Sequence, residues 1–292
     1  MVKLPTLLRR AGHAVADDLS RLRHAVPLAA LAALMSMARA EEDGPCRDVE
    51  HRGDRYTVCS FDPGTHRLDL HLRDADGRPY GRLSRLMEAA PDTVFAMNGG
   101  MYRNDLTPVG LYVEGGEERS ELVAADGWGN FHLLPNGVFF VAETGGRQAW
   151  GVRETRAFAA GPPPDLLHAT QSGPMLVIDG ALHPRFLPAS NSLKVRNGVG
   201  VSADGRAHFA ISRGRVRFHD FGTLFRDVLE TPNALFLDGS ISTFRAGSRR
   251  QGGFLEIGPI ISAAPLSAPD GPEGGQGADR AGDGGGGVGE GG

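Results

Sequence analysis

Four short polar motifs in this sequence each sit where an apolar run stops or starts. They are Asn98-Gly99-Gly100-Met101-Tyr102, Gln171-Ser172-Gly173-Pro174, Arg196-Asn197-Gly198-Val199-Gly200 and Asp238-Gly239-Ser240. Each sets a polar side chain beside glycine, which lets the chain turn sharply and lets a ligand approach the backbone. Successive glycines such as Gly99 and Gly100 leave amides able to point at an anion or a hydroxyl. Brought together, the motifs would line one pocket with a carboxylate (Asp238), a guanidinium (Arg196), an amide (Asn98) and two hydroxyls (Ser172 and Ser240). That set suits an anionic or polyhydroxyl ligand. Each motif alone also fits a turn that closes a strand, because Asp, Asn and Gly dominate turns for local reasons.

Other chemistries find less support. Ser172 lacks the Gly-x-Ser-x-Gly context of a nucleophile elbow. The two cysteines cannot build a thiolate zinc cage, and no His-Glu-x-x-His run occurs. His168 and His183, flanking the Gln171 motif, read as structural. Glu114 and Asp227 are candidate second carboxylates, but one falls at a hairpin turn and the other on a helix, where a solvated face is the simpler reading. Arg196 could instead pair with a surface carboxylate. No cofactor or metal is assigned, although Asp238 with backbone oxygens leaves room for a divalent cation such as calcium.

The elements that must position these residues follow from hydrophobic patterning. Residues 234–237, between Thr231-Pro232 and Asp238, form a short apolar run of the kind buried on both faces of a sheet. Similar runs at 93–97, 108–113, 175–178, 194–201 and 208–212 predict further strands. Residues 55–59 and 67–72 alternate around Asp62-Pro63-Gly64-Thr65 and predict a hairpin, as do 129–134 and 137–141 around Pro135-Asn136. Leu83, Leu86 and Met87 recur at helical spacing over 82–89. Phe218, Phe221, Phe225 and Val228 do the same over 217–229, a helix laid on the sheet. The fold predicted is a single α/β-type (α+β) domain over 41–264: a mixed, largely antiparallel twisted sheet with a few packed helices.

The formal net charge of −4 conceals a segregation. Residues 1–40 hold six Lys/Arg against two Asp/Glu, leaving 25 against 33 in the remainder. So acidic a remainder argues against sequence-independent nucleic-acid binding. Arg21 and Arg23 precede an apolar run over 25–37, and Ala38-Arg39-Ala40 follows, so 1–40 reads as a signal peptide. The run is shorter than the ~20 residues a bilayer span requires, and no membrane span is expected after cleavage. An exported chain with only Cys46 and Cys59 predicts one disulfide between them, in a periplasmic or secreted protein. Over 265–292 the chain turns glycine-rich and acidic; 12 of the last 22 residues are glycine, a composition expected to stay disordered.

Taken in order, the four motifs resemble the phosphodiester glycosidase family. The likeness runs from about Cys46 to Pro259 and includes Pro108-Val-Gly-Leu-Tyr-Val-Glu, Pro135-Asn-Gly-Val-Phe, Asp179-Gly and Phe225-Arg-Asp. It implies an exported hydrolase that cleaves a sugar-1-phosphodiester at the anomeric carbon, on a cell-envelope or extracellular glycan. The rivals are a non-catalytic glycan-binding or envelope polysaccharide assembly protein, and a serine hydrolase working through Ser172 or Ser240. Carried over to this chain, the resemblance assigns Asp238, Arg196 and Asn98 to catalysis. It gives Gly99, Gly100, Ser172, Gly173, Gly239 and Ser240 to substrate binding. Arg196 is expected to hold the phosphate, and Asp238 to be the carboxylate at the sugar carbon. A phosphate departs as a stable anion, which relaxes the usual need for two carboxylates. Met101-Tyr102 and Asp238-Gly-Ser-Ile-Ser depart from the best-known family member, so its sugar specificity is not transferred.

Overall fold

A computed structural model of the chain describes residues 44–239 and 241–266. The expected leader, Ser240 and all but the first two residues of the expected tail lie outside these residues. Three sheets carry the fold. The first, read edge to edge, is Cys46–His51, Asp54–Phe61, Ala207–Ser212, Asn197–Val201, Asn233–Asp238, Met175–Ile178 and Ala181–Leu182. The second is Arg249–Gln251, Phe244–Ala246, Phe95–Asn98, Ile260–Pro265 and His66–His71. The third is Glu117–Ser120, Tyr112–Glu114, Leu166–Ser172, Gly137–Thr144 and Arg147–Glu154.

Every strand pair among the described residues is antiparallel. The mixed single sheet is therefore corrected to three antiparallel ones, a more sheet-dominated fold than a balanced α+β. A parallel neighbour needs a long crossover, commonly a helix. Among the described residues the longest α-helix, Leu83–Ala89, has 7 residues. It buries Leu83 and Leu86, as its spacing predicts. The helix expected over 217–229 begins as α-helix at Phe218–Thr223 and continues as π-helix over Leu224–Val228.

The central strand Asn233–Asp238 behaves as its apolar run implies. Leu235 and Leu237 enter one core cluster, and Ala234 and Phe236 enter another. The first cluster lies where the three sheets meet. Phe95 of the second sheet packs 5.1 Å from Phe209 of the first, and Phe139 of the third packs 5.9 Å from Phe209, centroid to centroid.

Two expected hairpins are replaced. Asp54–Phe61 and His66–His71 both form but do not pair, because the first already lies between Cys46–His51 and Ala207–Ser212, while the second pairs with Ile260–Pro265. The turn at Asp62, closed by Gly64 N–H to Asp62 Oδ1 at 2.8 Å, instead passes the chain between sheets. Residues 130–132 form a 3₁₀ turn rather than a strand. Gly137–Thr144 takes Arg147–Glu154 as its hairpin partner, through Gly145 and Gly146 at φ +60° and +73°. Both values suit glycine in a two-residue hairpin turn. Cys46 and Cys59 are disulfide-bonded partners across adjacent strands. No helix among the described residues is long and apolar enough to cross a membrane.

Candidate active site

Asn98 is the last residue of its strand and is fully buried. Its Nδ2 donates to Asp238 Oδ2 at 2.9 Å. Its Oδ1 accepts from Asn197 Nδ2 at 3.0 Å and from the Thr243 backbone N–H at 2.8 Å. Asn197 sits directly across the first sheet from Asp238, and its Oδ1 accepts the Asp238 backbone N–H at 2.8 Å. Two buried amides, one from each of two sheets, thus fix both the backbone and the carboxyl of Asp238. The other carboxyl oxygen, Oδ1, accepts the Gly239 N–H at 2.5 Å.

Burial raises the Asp238 carboxyl to about 6, and the Gly239 and Asn98 donors only partly oppose this. Desolvation disfavours the charged form, and no cation is among the groups that set this value. Asp238 and Gly239 open onto a cleft of about 760 Å³, whose other walls include Tyr102, Arg103, Lys194, Ile241 and Glu256. Tyr102 donates to the Glu256 backbone oxygen at 3.3 Å. Burial, with the Asp238 charge adding to it, pushes its phenol above the ordinary range.

The remaining expected site residues are placed differently. Arg196 is 1% exposed and is not among the residues lining this cleft. Its Nε donates to Val216 O at 3.0 Å and its Nη2 to Ser192 O at 3.0 Å, while its guanidinium lies 3.5 Å from the Phe218 ring centroid. Burial lowers it to about 10. Arg196 precedes the strand Asn197–Val201 and its guanidinium packs over Phe218, while Asn197 is the residue that meets Asp238.

The Gly99 and Gly100 amides are not free for a ligand. Gly99 N–H bonds Pro259 O at 2.7 Å, and Gly100 N–H bonds Thr170 Oγ1 at 3.2 Å. Gly100 is instead required for close packing, since a Cβ there would overlap Thr170 Oγ1 and lie 2.5 Å from Gln171 O. Ser172 is fully buried and donates to Leu237 O at 2.9 Å, tying the third sheet to the first. Gly173 packs against Asn136 and Phe131 with no space for a side chain. Glu114 lies outside this cleft, and Asp227 pairs with Arg226 at 2.6 Å. Sequence reasoning missed Asn197, Arg103 and Lys194. Asn197 lay inside a quoted motif, next to the Arg196 that was chosen from it.

The fold is sheet-dominated, and its cleft sets a desolvated carboxyl beside Arg103, Lys194 and Glu256. The phosphodiester glycosidase family profile matches residues 91–252, a span holding Asn98, Asn197 and Asp238. The chain belongs to this family.

The uncharacterised protein YigE of Escherichia coli (strain K12) is 36% identical to it over 216 residues, covering 73% of this chain and 82% of YigE. Two solved structures share the fold. One is the catalytic domain of zebrafish N-acetylglucosamine-1-phosphodiester alpha-N-acetylglucosaminidase, auto-inhibited by its pro-peptide. It has TM-score 0.53 and 12% identity, over 74% of this chain and 80% of that one. The other, a Burkholderia pseudomallei K96243 protein described as exported, has TM-score 0.51 and 13% identity, over 82% of this chain and 81% of that one.

Proposed function

We propose that the chain is an exported hydrolase that cleaves a sugar-1-phosphodiester of a cell-envelope or extracellular glycan at its anomeric carbon. The observation that carries this reading is the Asp238 carboxyl, raised to about 6, on the wall of a cleft that also presents Arg103 and Lys194. A base with such a value is largely ionised at neutral pH yet basic enough to take a proton from water. Water oxygen bonds to the anomeric carbon and its proton passes to Asp238. The bond from that carbon to the phosphate oxygen breaks, and the phosphate monoester leaves with the electron pair. Arg103 and Lys194 hold the phosphate and offset its developing charge. Asn98 and Asn197 orient Asp238, and Met101, Tyr102 and Ile241 form the wall against the sugar ring.

Export is supported by the leader-like residues 1–40, by the disulfide and by the exported structural neighbour. The test is turnover of a panel of sugar-1-phosphodiesters by the purified protein and by Asp238→Asn. Loss of a proton-accepting group costs about 10²–10⁴-fold in rate. Hydrolysis that survives the substitution undiminished removes Asp238 from the mechanism. Binding without turnover in the unsubstituted protein selects the glycan-binding alternative.

A further inference from the structure

A cleft of about 210 Å³ adjoins the one that holds Asp238, across the segment 252–256. Leu255 lines both; Glu256 faces the Asp238 side, and Gly252 and Gly253 face the other. Three arginines line this smaller cleft. Arg82 immediately precedes the helix Leu83–Ala89, Arg245 lies on Phe244–Ala246, and Arg250 lies on the edge strand Arg249–Gln251. Ser84, Thr243 and Gln251 are its other polar residues, and no carboxylate is among the described residues that line it. Arg245 and Arg250 are directly opposed across their ladder, so the two side chains leave the same face of the sheet as neighbours. Like charges in that position destabilise a strand pair. Among the described residues, the side chains of Arg82, Arg245 and Arg250 make no hydrogen bond or ion pair that would offset this. Their sequence neighbours Arg85 and Arg249 each hold an aspartate, Asp74 and Asp48.

Beyond residue 40 the chain carries 33 acidic side chains against 25 basic ones. Three guanidiniums gathered in one hollow without a carboxylate are therefore not a sample of its average surface. Guanidinium matches the geometry of phosphate oxygens and binds them bidentately. A glycan whose scissile diester lies beside Asp238, and whose chain continues over Leu255, brings its next units into this hollow. We propose that the Arg82–Arg245–Arg250 cleft binds a second phosphate of the same glycan chain. The substrate is then a polymer with recurring phosphodiesters, gripped at one while another is cleaved. This inference rests on the hydrolase reading above. Phe254 and Leu255 are exposed on the dividing ridge, a combination that an anionic lipid surface would also meet. The concave shape of the arginine site and the wall it shares with the Asp238 cleft favour the glycan.

The experiment compares, for glucose, galactose, mannose and N-acetylglucosamine 1-phosphate, the single methyl diester with an oligomer of the same sugar phosphate long enough to hold several phosphates. The quantity read is the ratio of kcat/KM per cleavable bond, oligomer over single diester. Hydrogen bonds from charged donors change binding by about tenfold or more, so the ratio should favour the oligomer by about that factor and fall as salt is added. Arg245→Gln with Arg250→Gln, and separately Arg82→Gln, should bring it towards unity while kcat/KM for the single diester stays unchanged. Removing two opposed like charges relieves repulsion, so the double variant should unfold no earlier than the parent. A ratio near unity in the unsubstituted protein, or one that neither variant changes, overturns the proposal. Vesicles of phosphatidylglycerol are the second arm: arginine-dependent vesicle binding with an unchanged ratio overturns the glycan assignment and gives the site to lipid. Should no diester be hydrolysed, the hydrolase reading fails separately, and calorimetric binding of the oligomers then decides the site. Affinity lost in the variants supports it; no affinity in the unsubstituted protein, or affinity that the variants keep, overturns it.

Discussion

Asn98→Asp is the sharpest perturbation of the site, because it changes one atom of a defined contact and keeps the rest. An aspartate there retains the oxygen that accepts from Thr243 N–H at 2.8 Å and from Asn197 Nδ2 at 3.0 Å. It replaces the Nδ2 donor, 2.9 Å from Asp238 Oδ2, with an oxygen. A hydrogen bond to an ionised group contributes about 1.5–3 kcal/mol. At about 1.4 kcal/mol per pKa unit, its loss alone raises the Asp238 carboxyl by about one to two units. Repulsion between two adjacent carboxyls adds to this in the same direction, and the pair then titrates as a unit.

A base must be ionised, so activity rises with pH through its pKa. The acid limb of kcat/KM, expected near 6 in the unsubstituted protein, should move to about 7–8 or higher. At pH 6 the variant should lose about tenfold or more, and most of that loss should be recovered in alkaline buffer. The assay is a kcat/KM profile against pH, with thermal unfolding as the check on folding. A folded variant whose acid limb stays where it was would refute the assignment of Asp238 as the base tuned by Asn98.

Gly100→Ala places a Cβ against Thr170 Oγ1 and Gln171 O; overpacking of this kind costs about 1–3 kcal/mol. Chemical denaturation should read that loss, and unchanged stability would mean the strand exit can shift. Arg196→Met removes the guanidinium's hydrogen bonds to Val216 O, which keeps the Lys194 N–H, and to Ser192 O on an exposed residue, at about 1.5–3 kcal/mol for a bond from a charged donor. A lowered unfolding midpoint with little change in KM is expected, whereas a large rise in KM at unchanged stability would give Arg196 the phosphate. Replacing Cys46 and Cys59 by serine opens a link with sequence separation 13 and should cost about 3 kcal/mol. Reductant should lower the unfolding midpoint of the parent to that of the variant; a parent insensitive to reduction would contradict this.

The buried strand Asn233–Asp238, the short helix Leu83–Ala89 and the disulfide could be read from the chain because each rests on local information: an apolar run, a helical spacing, a cysteine pair. Pairing between strands is not local. The 62–65 turn looks like a hairpin turn in isolation, and only competition for the edges of Asp54–Phe61 decides that it joins two sheets. For the site, residue types led to Asn98 and Asp238, which the fold brings to 2.9 Å. Arg196 was chosen because a guanidinium in a polar motif suggests a ligand, and the fold places it just before the strand Asn197–Val201, buried over Phe218. Arg103 and Lys194 carried no motif at all. A cation on an irregular segment acquires meaning only once the cleft beside it exists.

The amide that tunes Asp238 depends on the C-terminal end of the described chain. Phe95–Asn98 is flanked by Phe244–Ala246 and Ile260–Pro265, and Gly99 is tied to Pro259. Synthesis delivers these partners after every other strand of the fold except Arg249–Gln251, which lies between them. A nascent chain that has emerged through residue 238 holds its reactive carboxyl but not the docked strand that disciplines it. On the proposed hydrolase reading, catalytic competence arrives late, when the closing strands seat. A polypeptide ending before Ile260 should be inert towards diesters, which a truncation assay would read directly.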